Sequence, residues 1–301
     1  MPELPEVEVV RSGVEPAVTG AVVAAVEVFE ERSLRRHVRA FGSFVDLLAG
    51  RRILAAVRRG KFLWLPLDTG NALVIHLGMS GQVLLRTPGS PGDRQLRIRL
   101  HLDHPEHGEL WLNFVDQRIF GSMAVDSMQA TSDGMPAGFA GAAAGDWSSL
   151  IPSQVAHIAR DPIDPAFSSD AFLSALARRK TGIKRALLDQ TLISGIGNIY
   201  ADEALFAARL HYKQQADSLA RPKATLLLEA MRTILDRALA EGGTSFDAQY
   251  VNVNGESGYF SHSLTAYGQQ GQPCPRCGTT LVREQFMNRS SHLCPRCQRL
   301  R

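Results

Sequence analysis

The first six residues, Met1-Pro2-Glu3-Leu4-Pro5-Glu6, put a proline where removal of the initiator methionine exposes a secondary amine beside two carboxylates. An α-amine titrates near pH ~8, so an appreciable fraction is neutral and nucleophilic at physiological pH without the burial a lysine needs. A secondary amine joined to a sugar aldehyde gives a permanently charged iminium, which draws electrons from the neighbouring carbon–carbon and carbon–oxygen bonds. Glu3 is then the nearest proton donor. Taken alone, the same residues also read as an ordinary, stiffened start to a chain. At the far end, all four cysteines fall in the last 28 residues, as Cys274-Pro-Arg-Cys277, sixteen residues, and Cys294-Pro-Arg-Cys297. Each Cys-x-x-Cys turn offers two thiolates to one tetrahedral Zn²⁺, and the intervening stretch suits a returning β-hairpin. Two disulfides are the competing reading, disfavoured where no export signal is seen. So short a segment cannot bury a core, and the metal would supply its folding energy. Four cysteine ligands leave no open position for water, so the zinc is expected to be structural.

These groups need elements to position them. The chain has 301 residues, enough for two substantial cores and a small module. No run approaches the roughly 18 apolar residues of a membrane helix, and the start lacks a secretory apolar stretch, so a soluble cytoplasmic protein without membrane contact is expected. The net charge is only +3 because 33 Lys and Arg are offset by 30 acids. Any basic face must therefore come from local segregation, and composition alone does not identify a nucleic-acid partner. Apolar positions recur with helical spacing from Val7 to about Val18. Candidate strands follow at Phe62 to Leu67, Ala72 to Leu77, Leu96 to Leu102 and Leu110 to Phe114, bounded by turns such as Asp68-Thr69-Gly70. A sandwich is the natural way to bury them. The small-sided run Ala137 to Gly145 points to a mobile linker or surface loop at about 134–151. Helical periodicity returns at Asp170 to Arg178, Ile183 to Gln190, Ile199 to Ala207 and Lys223 to Glu241, the last with Leu227, Ala230, Ile234 and Ala238 on one face. The polar, glycine-bearing run Thr244 to Gly258 reads as a long functional loop.

Six segments occur in one order along the whole chain. They are Met1-Pro2-Glu3-Leu4-Pro5-Glu6-Val7-Glu8, Arg59-Gly60-Lys61, His76-Leu77-Gly78-Met79-Ser80-Gly81, Asp116-Gln117-Arg118-Ile119-Phe120-Gly121, Ile193 through Glu203 (Ile-Ser-Gly-Ile-Gly-Asn-Ile-Tyr-Ala-Asp-Glu), and Asn288-Arg289-Ser290-Ser291-His292-Leu293-Cys294. With the proline-first terminus, the helical middle and the cysteine ribbon, they resemble the formamidopyrimidine-DNA glycosylase and endonuclease VIII family of base-excision repair enzymes. The resemblance implies an α+β multidomain fold. An N-terminal catalytic β-sandwich domain with a flanking helix would cover 1–133, and the linker or loop 134–151. A helix-two-turns-helix DNA-binding domain with a lesion loop would cover 152–264, and a zinc finger 265–301. It also implies a bifunctional glycosylase and AP lyase acting on damaged double-stranded DNA, monomeric, in the bacterial cytoplasm and on the nucleoid when bound. The start Pro-Glu-Leu-Pro-Glu and the His-Leu-Gly-Met-Ser-Gly segment resemble the formamidopyrimidine branch, whereas endonuclease VIII proteins usually begin Pro-Glu-Gly-Pro-Glu. Oxidised purines are therefore the expected substrates. The rival readings are an endonuclease VIII-like enzyme for oxidised pyrimidines and a noncatalytic DNA-binding relative.

The resemblance assigns roles residue by residue. Pro2 would be the nucleophile, Glu3 would transfer the proton in sugar-ring opening, Lys61 would donate in β-elimination, and Arg289 would serve the δ step. Arginine keeps its proton, so a phosphate clamp suits Arg289 better than an acid. Met79, Arg118 and Phe120 would fill the hole left by an extruded base, types that suit wedging, irregular packing and bonding to the orphaned cytosine. Asn198, opening a helix after Gly195-Ile196-Gly197, would contact phosphate, with Lys61, His76, Lys180 and Arg289 as further donors. Glu6 would orient the amine or the flipped base, and 244–258 would close over it. Cys274, Cys277, Cys294 and Cys297 would hold one structural Zn²⁺. The chain departs from the family at Asp93-Arg94-Gln95, where many relatives carry a histidine that contacts DNA.

Overall fold

Residues 2–243, 253 and 260–300 are described by the computed structural model. They form two compact units, Met1–His157 with Gly242–Gly258, and Ile158–Glu241 with Tyr259–Arg301.

The first unit opens with helix α1, Leu4–Val18, which starts earlier than the apolar periodicity alone indicates. Pro5 sits in the first turn, where a missing N–H costs nothing. Strand β1 (Val22–Val28) and a short helix α2 (Phe44–Leu48) follow. The remaining strands are β2 (Val57–Arg59), β3 (Phe62–Pro66), β4 (Asn71–His76), β5 (Gly81–Arg86), β6 (Leu96–His104), β7 (Gly108–Asp116), β8 (Ser122–Ala130) and β9 (Leu150–Pro152). They build a four-stranded sheet in the order β1-β6-β7-β5 and a five-stranded sheet in the order β2-β3-β4-β8-β9, with antiparallel pairing throughout. In β6 the alternate residues Ile98, Leu100 and Leu102 point inward. They share one core with Leu63, Leu65, Leu73 and Ile75 of the other sheet and with Val7, Val10 and Val14 of α1.

Segment 134–151 is not a linker between domains. It lies inside the first unit, carries a 3₁₀ turn at Asp146–Ser149, and runs into β9. Ala137 and Ala140 are buried. Phe139 extends the edge of β2 through two backbone hydrogen bonds with Arg58, at 2.9 and 2.8 Å. Its small residues are what permit this docking, because a Cβ on Gly138 would lie 2.4 Å from the Arg58 carbonyl oxygen and 2.8 Å from the Trp64 ring. The strap thus covers the outer face of β3, whose five residues are all buried.

The second unit contains α3 (Ser169–Leu176), α4 (Ile183–Leu187), α5 (Asn198–Ala207), α6 (Arg221–Ala240) and a hairpin of β10 (Val282–Phe286) with β11 (Arg289–Leu293). The ribbon shares this unit with the helices. On α6 the buried stripe is Ala224, Leu227, Leu228, Met231, Leu235 and Ala238, while Ala230 and Ile234, expected inside, are only half-buried. The stripe through Leu228 and Met231 presents the larger side chains inward, and hydrophobic burial favours it. No helix among the described residues is long and apolar enough to cross a membrane.

Candidate active site and nucleic-acid interface

Pro2 and Glu3 are buried at the head of α1. Glu6 holds that entry, since its carboxylate accepts from the Glu3 backbone N–H at 2.8 Å, one arm of a capping box. Further along α1, a buried ion network ties the helix to the second sheet. Arg11 Nε donates to Glu8 at 2.8 Å, Arg58 Nε donates to the other Glu8 oxygen at 2.8 Å, and Arg11 also binds Glu15 at 2.7 Å. The Arg11 guanidinium lies over the Phe139 ring of the strap, 5.2 Å from its centroid. Arg58 belongs to β2, and the turn from β2 into β3 carries Gly60, at φ +56°, and Lys61. The network therefore couples the helix bearing the terminal amine to the turn bearing Lys61.

His76 ends β4 opposite Phe62, with the two rings 4.8 Å apart. Its Nδ1 accepts from the Gly78 N–H at 3.1 Å, which places the ring proton on Nε2. Burial, reinforced by the charges of Arg36, Arg35 and Lys61, pushes its pKa down to about 4. His76 is thus a neutral N–H donor at physiological pH, set among cations. Arg36 stacks over Phe62 at 5.3 Å.

Met79, Arg118 and Phe120 come together on two adjoining turns. Gly78 at φ +64° allows the contact, because a Cβ there would lie 2.3 Å from the Phe120 carbonyl. The fully buried Asp116 carboxylate ties the turns together. It accepts from Ser80 Oγ at 2.5 Å, from the Arg118 N–H at 3.1 Å and from the Gly121 N–H at 2.6 Å. Met79 is 41% and Phe120 49% exposed, and the Arg118 side chain is exposed beside them. Large apolar side chains presented to solvent from a rigid base are unusual on a free surface and suit insertion into a base stack. At the departure from the family, Asp93 accepts from Arg86 and Asn113 at 2.7 to 3.1 Å. Gln95, at φ +65°, accepts the Asp116 N–H through its carbonyl at 3.2 Å. That segment braces the Asp116 turn, and Arg94 there is exposed.

In the second unit Gly197 caps α5 and Asn198 is its first helical residue, one position later than an N-cap role for Asn198 would require. Gln190 staples the preceding turn, donating to the carbonyls of Leu188 and Ile196 and accepting the Gly195 N–H. Asn198 Nδ2 donates to the Ser290 carbonyl at 3.1 Å, next to the exposed Arg289 at the start of β11. Residues with no assigned chemistry hold this pairing. Lys184 Nζ, fully buried, reaches Asp202 at 2.6 Å, the Ser290 carbonyl at 2.9 Å and Ser291 Oγ at 2.8 Å. Asp202 also accepts the His292 N–H at 2.9 Å. Asp202 lies inside the Ile193–Glu203 motif, which was the available signal for it. Lys184, only one turn from Lys180, had none. Lys180 itself is exposed just before α4. Of the long loop, only Val253 belongs to the described residues between 244 and 259. It is buried in the core and accepts the Leu85 N–H at 3.0 Å. The expected lesion lid otherwise lies outside the described residues.

The four cysteine sulfurs lie within 4.8 Å of one another, with Cys277 Sγ 3.5 Å from both Cys294 and Cys297. The Cys297 N–H points at Cys294 Sγ at 3.4 Å, as amides do toward metal-bound thiolates. This donor set fits a closed tetrahedral Zn²⁺ site, and the chain carries one structural zinc there.

Comparison with known proteins agrees with this arrangement. Residues 1–123 match the formamidopyrimidine-DNA glycosylase N-terminal domain, 158–249 the formamidopyrimidine-DNA glycosylase H2TH domain, and 271–300 the zinc finger found in FPG and IleRS. The chain is 65% identical to the formamidopyrimidine-DNA glycosylase of Leifsonia xyli subsp. xyli, over the full length of both. It is 53% identical to that of Thermobifida fusca, over 99% of this chain and 97% of the relative. The MutM (FPG) crystal structure from Thermus thermophilus superposes with a TM-score of 0.79 at 34% identity, covering 100% of both chains. A Lactococcus lactis Fpg complex with abasic-site DNA superposes at 0.78 with 27% identity, covering 99% of each. Fold and site together define a DNA glycosylase with an associated lyase. The chain belongs to the formamidopyrimidine-DNA glycosylase family.

Proposed function

We propose that this enzyme removes oxidised purines, 8-oxoguanine and formamidopyrimidines, from duplex DNA and then cuts the strand through an amine made from its own N-terminus. The observation that carries the reading is the rigid presentation of Met79, Arg118 and Phe120 by a buried carboxylate. Extruding a base costs a few kcal/mol, and the hole must be filled by groups that do not themselves need ordering. With the cytosine left unpaired, the Arg118 fork supplies donors that a purine-lesion enzyme needs opposite the damaged base.

The chemistry follows from Pro2 once Met1 is removed. The amine attacks C1′, the glycosidic bond breaks, and the base leaves with the electron pair and gains a proton. Proton transfer through Glu3 opens the sugar ring and leaves a C1′ iminium. That cation acidifies C2′, whose proton is lost as the C3′–O bond breaks and the 3′ phosphate leaves. Loss of a C4′ proton then expels the 5′ phosphate by δ-elimination. Lys61 serves the first elimination as a proton donor. His76 contributes a neutral N–H to a phosphate, and Arg289, Asn198 and Lys180 grip the backbone, with Arg289 stabilising the charge on the departing phosphate. Glu6 keeps the α1 entry in shape for the nucleophile. The zinc holds the hairpin bearing Arg289 and takes no part in the reaction. Such a protein would act as a monomer on chromosomal DNA in the cytoplasm. Parallel assays on duplexes with 8-oxoguanine opposite C and thymine glycol opposite A test the reading. Preferred cutting of the thymine glycol duplex would replace it with an oxidised-pyrimidine specificity, and cutting of neither would leave a noncatalytic binder.

A further inference from the structure

The turn Asp116–Gly121 is bonded on two sides. Its inward N–H groups, those of Arg118 and Gly121, end on the Asp116 carboxylate. Its outward carbonyls converge on a single guanidinium that lies in none of the six sequence segments. Arg35 Nη1 donates to the Ile119 carbonyl at 2.8 Å and the Gly121 carbonyl at 3.0 Å, and Nη2 donates to the Phe120 carbonyl. Ile119, a β-branched residue, sits at φ +57°, a conformation disfavoured for its side chain and held only by its surroundings. Arg35 follows a 3₁₀ turn, Glu31–Leu34, whose Leu34 packs on the sandwich core and whose Ser33 is fully buried. Its backbone therefore has a firm base. Among the described residues it makes no ion pair with a carboxylate, so its donors are available to the turn.

We propose that Arg35 is the positioning residue for opposite-base reading. It fixes three successive carbonyls and so keeps Arg118 and Phe120 aimed before DNA arrives. This rests on the reading that Arg118 bonds the cytosine opposite the lesion. Discrimination among bases is a difference between hydrogen-bond geometries, and a mobile Arg118 could adapt to several partners while losing entropy on each. A planar fork can span neighbouring carbonyls, which the point charge of a lysine cannot do.

Arg35→Ala and Arg35→Lys test this, with Arg118→Ala as reference. Three measurements are made: amide hydrogen exchange at Arg118 and Gly121, excision of 8-oxoguanine opposite each of the four bases, and cleavage of a preformed abasic site. Both Arg35 variants should exchange the two amides about tenfold faster or more. Both should lose about 5- to 100-fold of the preference for C, approaching Arg118→Ala. Abasic-site cleavage should change by less than about twofold, since the terminal amine is untouched. Unchanged exchange would overturn the inference, as would an intact C preference in Arg35→Ala when Arg118→Ala has lost it. Full rescue by lysine would reduce Arg35 to a diffuse charge, and an equal fall in all activities would make it a general DNA contact. If Arg118→Ala itself keeps the preference, the cytosine reading fails and the specificity role falls with it, while exchange still decides whether Arg35 holds the turn.

Discussion

Replacing Asp116 with asparagine swaps one oxygen for an amino group where the two wedge-bearing turns are tied. The carboxylate accepts three hydrogen bonds and is fully buried. If the asparagine oxygen faces Ser80 and Arg118, its amino group meets the Gly121 N–H, and two donors oppose each other. The flipped amide instead orphans Arg118. Either way one buried donor is left unpaired, at about 1–3 kcal/mol, and the surviving bonds lose charge assistance worth roughly another 1 kcal/mol. A total of about 2–4 kcal/mol corresponds to a fall in Tm of roughly 4–16 °C for a unit of this size. Differential scanning calorimetry reads the stability, and the ratio of 8-oxoguanine excision to abasic-site cleavage reads the wedge. Excision should fall more than cleavage, because only excision must first extrude a base and so depends more on the wedge. A variant that melts with the wild type and keeps its opposite-base preference would refute the idea that this carboxylate organises the turns.

Borohydride should trap the enzyme on lesion DNA through Pro2; Pro2→Gly should retain some trapping, and a blocked N-terminus none. Mapping of the adduct to an internal lysine would remove Pro2 from its role. Because the folded His76 stays neutral down to about pH 4 and the unfolded side chain takes up a proton near pH ~6.5, the unfolded chain binds more protons between those values. The contribution of His76 to stability is therefore complete above about pH 6.5 and lost as pH falls toward 4, and His76→Gln should flatten that part of the Tm-versus-pH curve. Chelation, or Cys277→Ser, should unfold about Gly271 to Arg301 and weaken DNA binding, read by circular dichroism and a binding titration, with undiminished affinity counting against the ribbon as part of the grip.

The cysteine end was legible because its signal is local. The cysteine spacing defines its own geometry, and β6 announces itself through Ile98, Leu100 and Leu102 at period two. Strands β5 and β8 were not read. β5 begins at Gly81, and β8 mixes Ser122, Asp126, Ser127 and Gln129 among its apolar residues; both are strands because β7 and β4 pair with them across the sequence. For segment 134–151 the linker alternative fails, and the surface loop docks, for a physical reason. Small residues signal flexibility when nothing covers them, yet here smallness is what lets Gly138 lie against Arg58 and Trp64. Arg35 and Lys184 were invisible as site residues because their partners lie 84–86 and 18–107 positions away.

Three sets of buried charge share one pattern: each supports a group assigned to DNA. Asp116 underlies Arg118 and Phe120, the Glu8–Arg58 pair underlies the Lys61 turn, and the Lys184–Asp202 pair underlies Arg289 and Asn198. Burying an ion pair adds little net stability, and well-packed apolar replacements are often neutral or stabilising, whereas removing one partner costs about 3–5 kcal/mol. Position is what these pairs supply. The double variant Lys184→Met with Asp202→Leu should therefore stay folded and melt only modestly below the wild type, the unpaired His292 N–H costing about 1–3 kcal/mol, while Lys184→Met alone, which leaves a buried charge unpaired, melts well below it. Yet the double variant should bind lesion DNA more weakly, because the bonds from Lys184 to the Ser290 carbonyl and Ser291, and from Asp202 to the His292 N–H, no longer fix the hairpin beside Asn198. Unaltered affinity in a folded double variant would show that the pair serves stability alone.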